Sequence, residues 1–237
     1  MIHAPPAHIL RVPSPITVIE TVVTQDDQGH EAQVFKFPTM PPVGSVVIVN
    51  AFSEGGGTPP EGPQSITDTL GAPLALQASS QPAGEITSEF LYDYVMPFLP
   101  NPGHWEYTCN PDQETGTCFR LYGLVCVGCA YPGTYYSFSG PVNTEATATF
   151  PTSPGALVVC GVHANSQTPT YGIEGASGVA QIMPNVRAAA LYGTANGYYV
   201  TFESGFTSSG YGWTLVCATY FAQGGRSAAL VSAHYGR

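Results

Sequence analysis

Runs of β-branched and aromatic residues in this chain are repeatedly cut short by clusters of Gly, Pro, Asn and Ser, and no amphipathic helical period survives between the cuts. An all-β fold is the consequence. Strands are expected over residues 16–23, 33–37, 45–52, 90–96, 119–130, 134–138, 144–150, 156–162, 188–192, 198–202 and 214–221. Some segments alternate, as Tyr198-Tyr199-Val200-Thr201-Phe202-Glu203 does, which suits a strand with one wet face. Others, such as Val46-Val47-Ile48-Val49, are apolar at every position and need cover on both faces. That cover comes from a thick sandwich or from a neighbouring subunit.

At 237 residues the chain is long enough to close one antiparallel β-sandwich. Residues 1–15 include Pro5, Pro6, Pro13 and Pro15, which exclude helix and favour an extended arm. The expected organisation is an N-terminal arm over 1–15, a sandwich domain over 16–223 and a tail over 224–237. Two Gly- and Pro-rich stretches, 53–63 and 97–117, read as long loops, where recognition contacts are commonly carried.

The sequence also repeats itself. Gly44-Ser45-Val46-Val47-Ile48-Val49-Asn50-Ala51 is echoed by Gly155-Ala156-Leu157-Val158-Val159-Cys160-Gly161-Val162, each after a proline turn. Later, Gly123-Leu124-Val125-Cys126-Val127 parallels Trp213-Thr214-Leu215-Val216-Cys217-Ala218. Two similar β halves follow from this. Because a half of that size has only a marginal core, the halves are expected to pack face to face as one sandwich.

The second half carries a further likeness. After the Gly155 turn and its Leu-Val-Val strand comes Asn196-Gly197-Tyr198-Tyr199-Val200-Thr201-Phe202, and Ser208-Ser209-Gly210-Tyr211-Gly212-Trp213 then leads into a last apolar strand. In this pattern segment 155–221 resembles the closing half of jelly-roll or concanavalin-like sandwich modules, found in secreted proteins and in phage virion proteins. The resemblance implies a jelly-roll-like antiparallel β-sandwich and a virion or extracellular setting. It implies no reaction.

Charged side chains make up only 9% of the chain. An ordinary soluble domain has about a quarter, so a surface this neutral is expected to be covered partly by other copies of the chain. The net charge is −10, and the only lysine is Lys36, which leaves no basic stripe for phosphates and argues against nucleic acid. No apolar run approaches the roughly 20 residues of a membrane-spanning helix, so insertion is not expected. The segment Met1-Ile2-His3-Ala4-Pro5-Pro6 has neither the basic start nor the apolar run of a signal peptide. A virion protein, made in the cytoplasm and working outside it, reconciles these features.

Among the cysteines, Cys109 and Cys118 flank a polar loop that a disulfide between them would close and stiffen. Cys126-Val127-Gly128-Cys129 has metal-like spacing, but the second close pair of a structural zinc site is missing, and its apolar strand favours buried thiols. Cys160 and Cys217 read as core residues or as a bridge between the two sheets. The histidines form no closely spaced pair, and the carboxylates show no spacing that singles out a glycosidase pair. No nucleophile elbow or phosphate-binding loop is present. The expectation is a non-enzyme with no cofactor and no metal.

Aromatic residues near turns remain. Trp105 and Tyr107 are the candidate surface-contact residues, because exposed rings anchor protein interfaces or stack on sugars, while Trp213 is expected in the core. The function these features favour is a self-assembling structural subunit of a virion, such as a capsid decoration, head-fibre or tail protein. Its partners would be copies of itself and neighbouring structural proteins. An extracellular filament subunit and a carbohydrate-binding adhesin, with surface glycans as partners, are the alternatives.

Overall fold

The computed structural model describes residues 15–25, 32–54, 63, 65–68, 71–80, 87–96, 106–110, 118–141, 145–164, 170–182, 188–204 and 212–223. The N-terminal arm, except Pro15, and the C-terminal tail lie outside them. The strands of the first half are β1 Thr17–Gln25, β2 Gln33–Lys36, β3 Val46–Glu54, β4 Ser65–Asp68, β5 Ala75–Ser80, β6 Thr87–Val95, β7 Glu106–Asn110 and β8 Cys118–Val127. Those of the second are β9 Thr134–Gly140, β10 Thr147–Pro151, β11 Leu157–Ala164, β12 Tyr171–Glu174, β13 Ala176–Gln181, β14 Ala188–Ala195, β15 Tyr199–Ser204 and β16 Trp213–Tyr220. The described residues contain no helix.

Every expected segment contains a strand. The strands that composition did not reveal are β7, inside the stretch read as a loop over 97–117, and β4, β5, β12 and β13. The last four are all sheet-edge strands. An edge strand has one neighbour and keeps much of its surface wet, so sequences such as Ala-Ser-Gly-Val-Ala-Gln in β13 suffice without a β-branched run.

All strand pairing is antiparallel, in sheets of order β1-β8-β3-β6-β5 and β2-β7-β4 in the first half and β13-β14-β11-β16-β9 and β10-β15-β12 in the second. Adding eight to each strand number of the first half gives the second half. The repeat extends to single hydrogen bonds. Gly44 and Gly155 both sit at φ +80°, in the left-handed region that glycine tolerates, just before β3 and β11. Gly44 N–H donates to Met96 and Gly155 N–H to Ala195, while Met96 and Ala195 donate back to Ser45 and Ala156. The second repeat, as read from sequence, needs correction in register. Ladder pairing makes Gly123 of β8, opposite Val49, the counterpart of Cys217, opposite Cys160. The shared Leu-Val-Cys letters are therefore offset by three residues between the two strands.

Side chains alternate across each sheet and define separate cores. In β3, Val47, Val49 and Ala51 face Phe35, Phe37, Ile66 and Tyr107 of the smaller sheet. In the second half Val158, Cys160 and Val162 face Phe150, Ile173 and Phe202 in the same way. The opposite faces of the two five-stranded sheets meet each other, with Val46, Ile48, Leu91 and Leu124 against Leu157, Val159, Val216 and Tyr220. Each half therefore closes its own small sandwich, and the larger sheets stack back to back, instead of two halves forming a single sandwich. Each aliphatic side chain in the seam contributes about 1.5–3 kcal/mol, so the seam is on the order of 10 kcal/mol or more. This is a gross gain, partly offset by the entropy of ordering the chain, and it favours the two halves folding together. The seam also accounts for the continuous apolar run Val46–Val49: the chain's own second half supplies the second cover.

Candidate functional site

The titratable side chains that the fold gathers lie in this seam. Along β6, Phe90, Tyr92 and Tyr94 turn into the first core, and Glu89, Leu91 and Asp93 consequently face the second half. Asp93 Oδ2 accepts hydrogen bonds from the phenol of Tyr220 on β16 at 2.6 Å and of Tyr135 on β9 at 2.7 Å. Tyr131 and Gln77 complete the polar ring around it, linked to each other at 3.4 Å. Removal from water raises the Asp93 pKa, and the donated hydrogen bonds offset only part of that rise.

Glu89, wholly buried, meets the second half at Gly161 of β11. Its Oε1 accepts from Asn50 Nδ2 at 3.5 Å, and the backbone of Val216 also hydrogen-bonds to it. Burial raises its pKa well above the ordinary carboxyl value. A methyl group at residue 161 would overlap the Glu89 carboxyl, so glycine is required there by close approach. His163, two residues along β11, stands edge-to-face with Phe52, the ring centres 5.9 Å apart. This arrangement takes both carboxyl groups out of water, which favours their protonated forms, and uses them as hydrogen-bonding ties between the halves. Among the described residues no cluster of three His, Cys, Asp or Glu side chains has metal-binding proximity.

The residues singled out from sequence fare differently. Tyr107 is not a surface residue: it is fully buried, stacked on Phe35 at 5.0 Å and hydrogen-bonded to the Tyr94 hydroxyl at 2.9 Å. β7 alternates, and its inward positions are Tyr107 and Cys109. Trp105 lies outside the described residues. The Cys109–Cys118 bridge is also corrected, because Cys109 is a free buried thiol. The two cysteines belong to different sheets, Cys109 to the three-stranded sheet and Cys118 to the start of β8 in the five-stranded sheet. Burial pushes the Cys109 thiol up to about 12. The disulfide that does form joins Cys126 and Cys129, which the sequence presents as buried thiols, where the chain leaves β8 through Gly128 at φ +78°. Trp213 is core, as expected, with its ring lying over Gly140 of β9.

Sequence reasoning gave no special weight to Tyr198 and Tyr199, which are 62% and 67% exposed. Tyr199 shares the outer face of the β10-β15-β12 sheet with Thr201, whose hydroxyl pairs with that of Thr149 at 2.9 Å. The signal was available in the alternation of Tyr199, Thr201 and Glu203 with the buried Val200, Phe202 and Ser204.

The edges of the larger sheets also differ from one another. β1, β5 and β13 each carry a bulge or register shift, at Val18/Glu20, Leu76/Ala78 and Ser177/Ala180. β9, Thr-Tyr-Tyr-Ser-Phe-Ser-Gly, pairs with β16 without irregularity and has no charge and no proline. Among the described residues no strand pairs with its outer edge, although Ser80 donates its hydroxyl to the Phe138 carbonyl.

No protein-family model and no curated protein matches this sequence.

Proposed function

We propose that this chain is a structural subunit that assembles with copies of itself and with neighbouring structural proteins, in a virion as a capsid-decoration, head-fibre or tail component. Each half is read as a jelly-roll-like sandwich, a reading supported by the eight-strand repeat of the sheet order. The observation that carries the proposal is β9: a regular, uncharged, proline-free edge strand. Natural proteins blunt such edges with bulges, charges or cover, as this chain does at β1, β5 and β13. Although β5 lies beside part of it, with Ser80 bonded to the Phe138 carbonyl, such an edge is suited to accept a strand from another molecule. The sparse charge of the chain points the same way. Apolar strands do not add to this support, since the internal seam already covers them.

Light scattering coupled to size exclusion, followed by negative-stain electron microscopy, tests the proposal. Symmetric particles or filaments are expected. A monodisperse monomer at high concentration contradicts it.

A second reading, a glycan-binding adhesin, is favoured by the outer face bearing Tyr199, Thr149 and Thr201, where a ring and hydroxyls stand together in water. A glycan array distinguishes the two readings.

A further inference from the structure

A pair of thiols lies in the second core. Cys160 of β11 and Cys217 of β16 are register partners, both wholly buried and facing the same core. The ladder fixes what kind of pair they are. Ala190 of β14 accepts a hydrogen bond from Ile182 on the β13 side. Its neighbour Leu191 therefore turns its backbone groups toward β11, where its partner is Cys160. Cys160 thus directs its own backbone hydrogen bonds to β14. Toward β16 it is a non-hydrogen-bonded member of the ladder, the class in which side chains stand closest.

Such pairs bring Cα atoms to about 4.5 Å, inside the range of roughly 4.4–6.8 Å that a disulfide spans. Both thiols are free and buried. The pairing is not imposed by the repeat, because the equivalent positions in the first half are Val49 and Gly123. Cys109, the other free thiol among the described residues, lies in the first core.

We propose that Cys160 and Cys217 are an oxidation site that forms a cross-strand disulfide when the protein meets a peroxide. One thiol loses its proton and attacks a peroxide oxygen, so that an S–O bond forms, the O–O bond breaks and hydroxide leaves. The second thiolate then attacks that sulfur, the S–S bond forms, the S–O bond breaks and a second hydroxide departs. The released protons convert the hydroxides to water, so two thiols are oxidised and one peroxide is reduced to two waters. Both sulfurs lie at 0% exposure, so the oxidant must be small and enter when an edge opens. β9 is the strand whose release uncovers β16. The product links the two central strands of the second half and closes a loop of more than fifty residues, which restricts the unfolded chain.

The test is peptide mapping by mass spectrometry, without reduction, of the full chain treated with hydrogen peroxide, with free glutathione as a reference thiol in the same tube. The expected result is a linked pair of peptides bearing Cys160 and Cys217, lighter by two hydrogens, with Cys109 still a thiol. The melting temperature should rise by more than about 5 °C. Cys160→Val, which installs the residue found at the equivalent position of the first half, should remove both the link and the rise. Cys217→Ala serves as a second variant should the first fail to fold. The proposal is overturned if both thiols survive after the glutathione is fully oxidised. It is equally overturned if either sulfur proceeds to sulfinic acid alone, or bridges to Cys109 or another molecule.

Discussion

Tyr220 donates its phenolic hydrogen to Asp93 at 2.6 Å, joining residues 127 positions apart and binding the last strand of the second half to the first half. Tyr135 adds a parallel bond at 2.7 Å to the same oxygen. Asp93 and Glu89 are thus charged-type residues serving as internal ties in a seam that is otherwise apolar. Their protonation state is coupled to the stacking of the halves.

The pH dependence of stability follows from that coupling. Burial raises both carboxyl pKa values in the folded protein, so each acid binds its proton more tightly folded than unfolded. Their stabilisation is complete below the unfolded value, about 4, and is lost as pH rises through the raised folded values. Denaturant titrations from acid to alkaline pH should show this contribution to resistance greatest near or below about pH 4 and falling as pH rises above it. Asp93→Asn should flatten part of the slope. Stability that climbs steadily with pH over this window would contradict the assignment.

Gly161→Ala places a methyl group on the Glu89 carboxyl. A loss of about 2–4 kcal/mol is expected, the range for overpacking a core next to a buried polar group. Combining it with Glu89→Ala should recover at least about 1 kcal/mol of that loss relative to additivity. Additive behaviour in the double-mutant cycle would show that the two positions do not meet.

Trp213→Ala removes the ring that covers Gly140 and closes the second core beside Leu215. The expected loss is about 3–5 kcal/mol, read as a lowered denaturation midpoint and, for so marginal a half, as loss of the folded state. A variant that stays fully folded but loses only binding would place Trp213 at a surface instead.

Tyr199→Ala alters an exposed ring and should change stability by no more than about 0.5 kcal/mol. If the outer face of the β10-β15-β12 sheet binds glycans, array signals should fall while assembly persists. Loss of particles with no change in glycan signal would assign that face to subunit contact.

Much of the architecture is written locally. The turn that launches β3 and β11 needs a residue tolerant of positive φ, so Gly44 and Gly155 mark equivalent starts, and the repeat is visible from them. Period-two alternation likewise marks β15 and fixes which of its residues share a face. Alternation does not say which face meets a core. Tyr107 and Cys109 share a face whatever the tertiary structure, but only packing against Phe35 and the first five-stranded sheet made that face the inner one. The edge strands β4, β5, β12 and β13 were illegible for a related reason: half-wet strands are under little compositional demand.

By itself, then, the sequence determined the class of fold, most strand positions and the doubling of the chain, because each is set by backbone preference and short-range alternation. The tertiary structure alone decided that there are two sandwiches sharing a seam, that Glu89 and Asp93 are buried in it, and that Cys160 faces Cys217 while Cys109 stands free. Those outcomes depend on which sheets stack and in what ladder register. Such long-range choices are made by the total apolar area and polar pairing of surfaces that come together only when the chain folds.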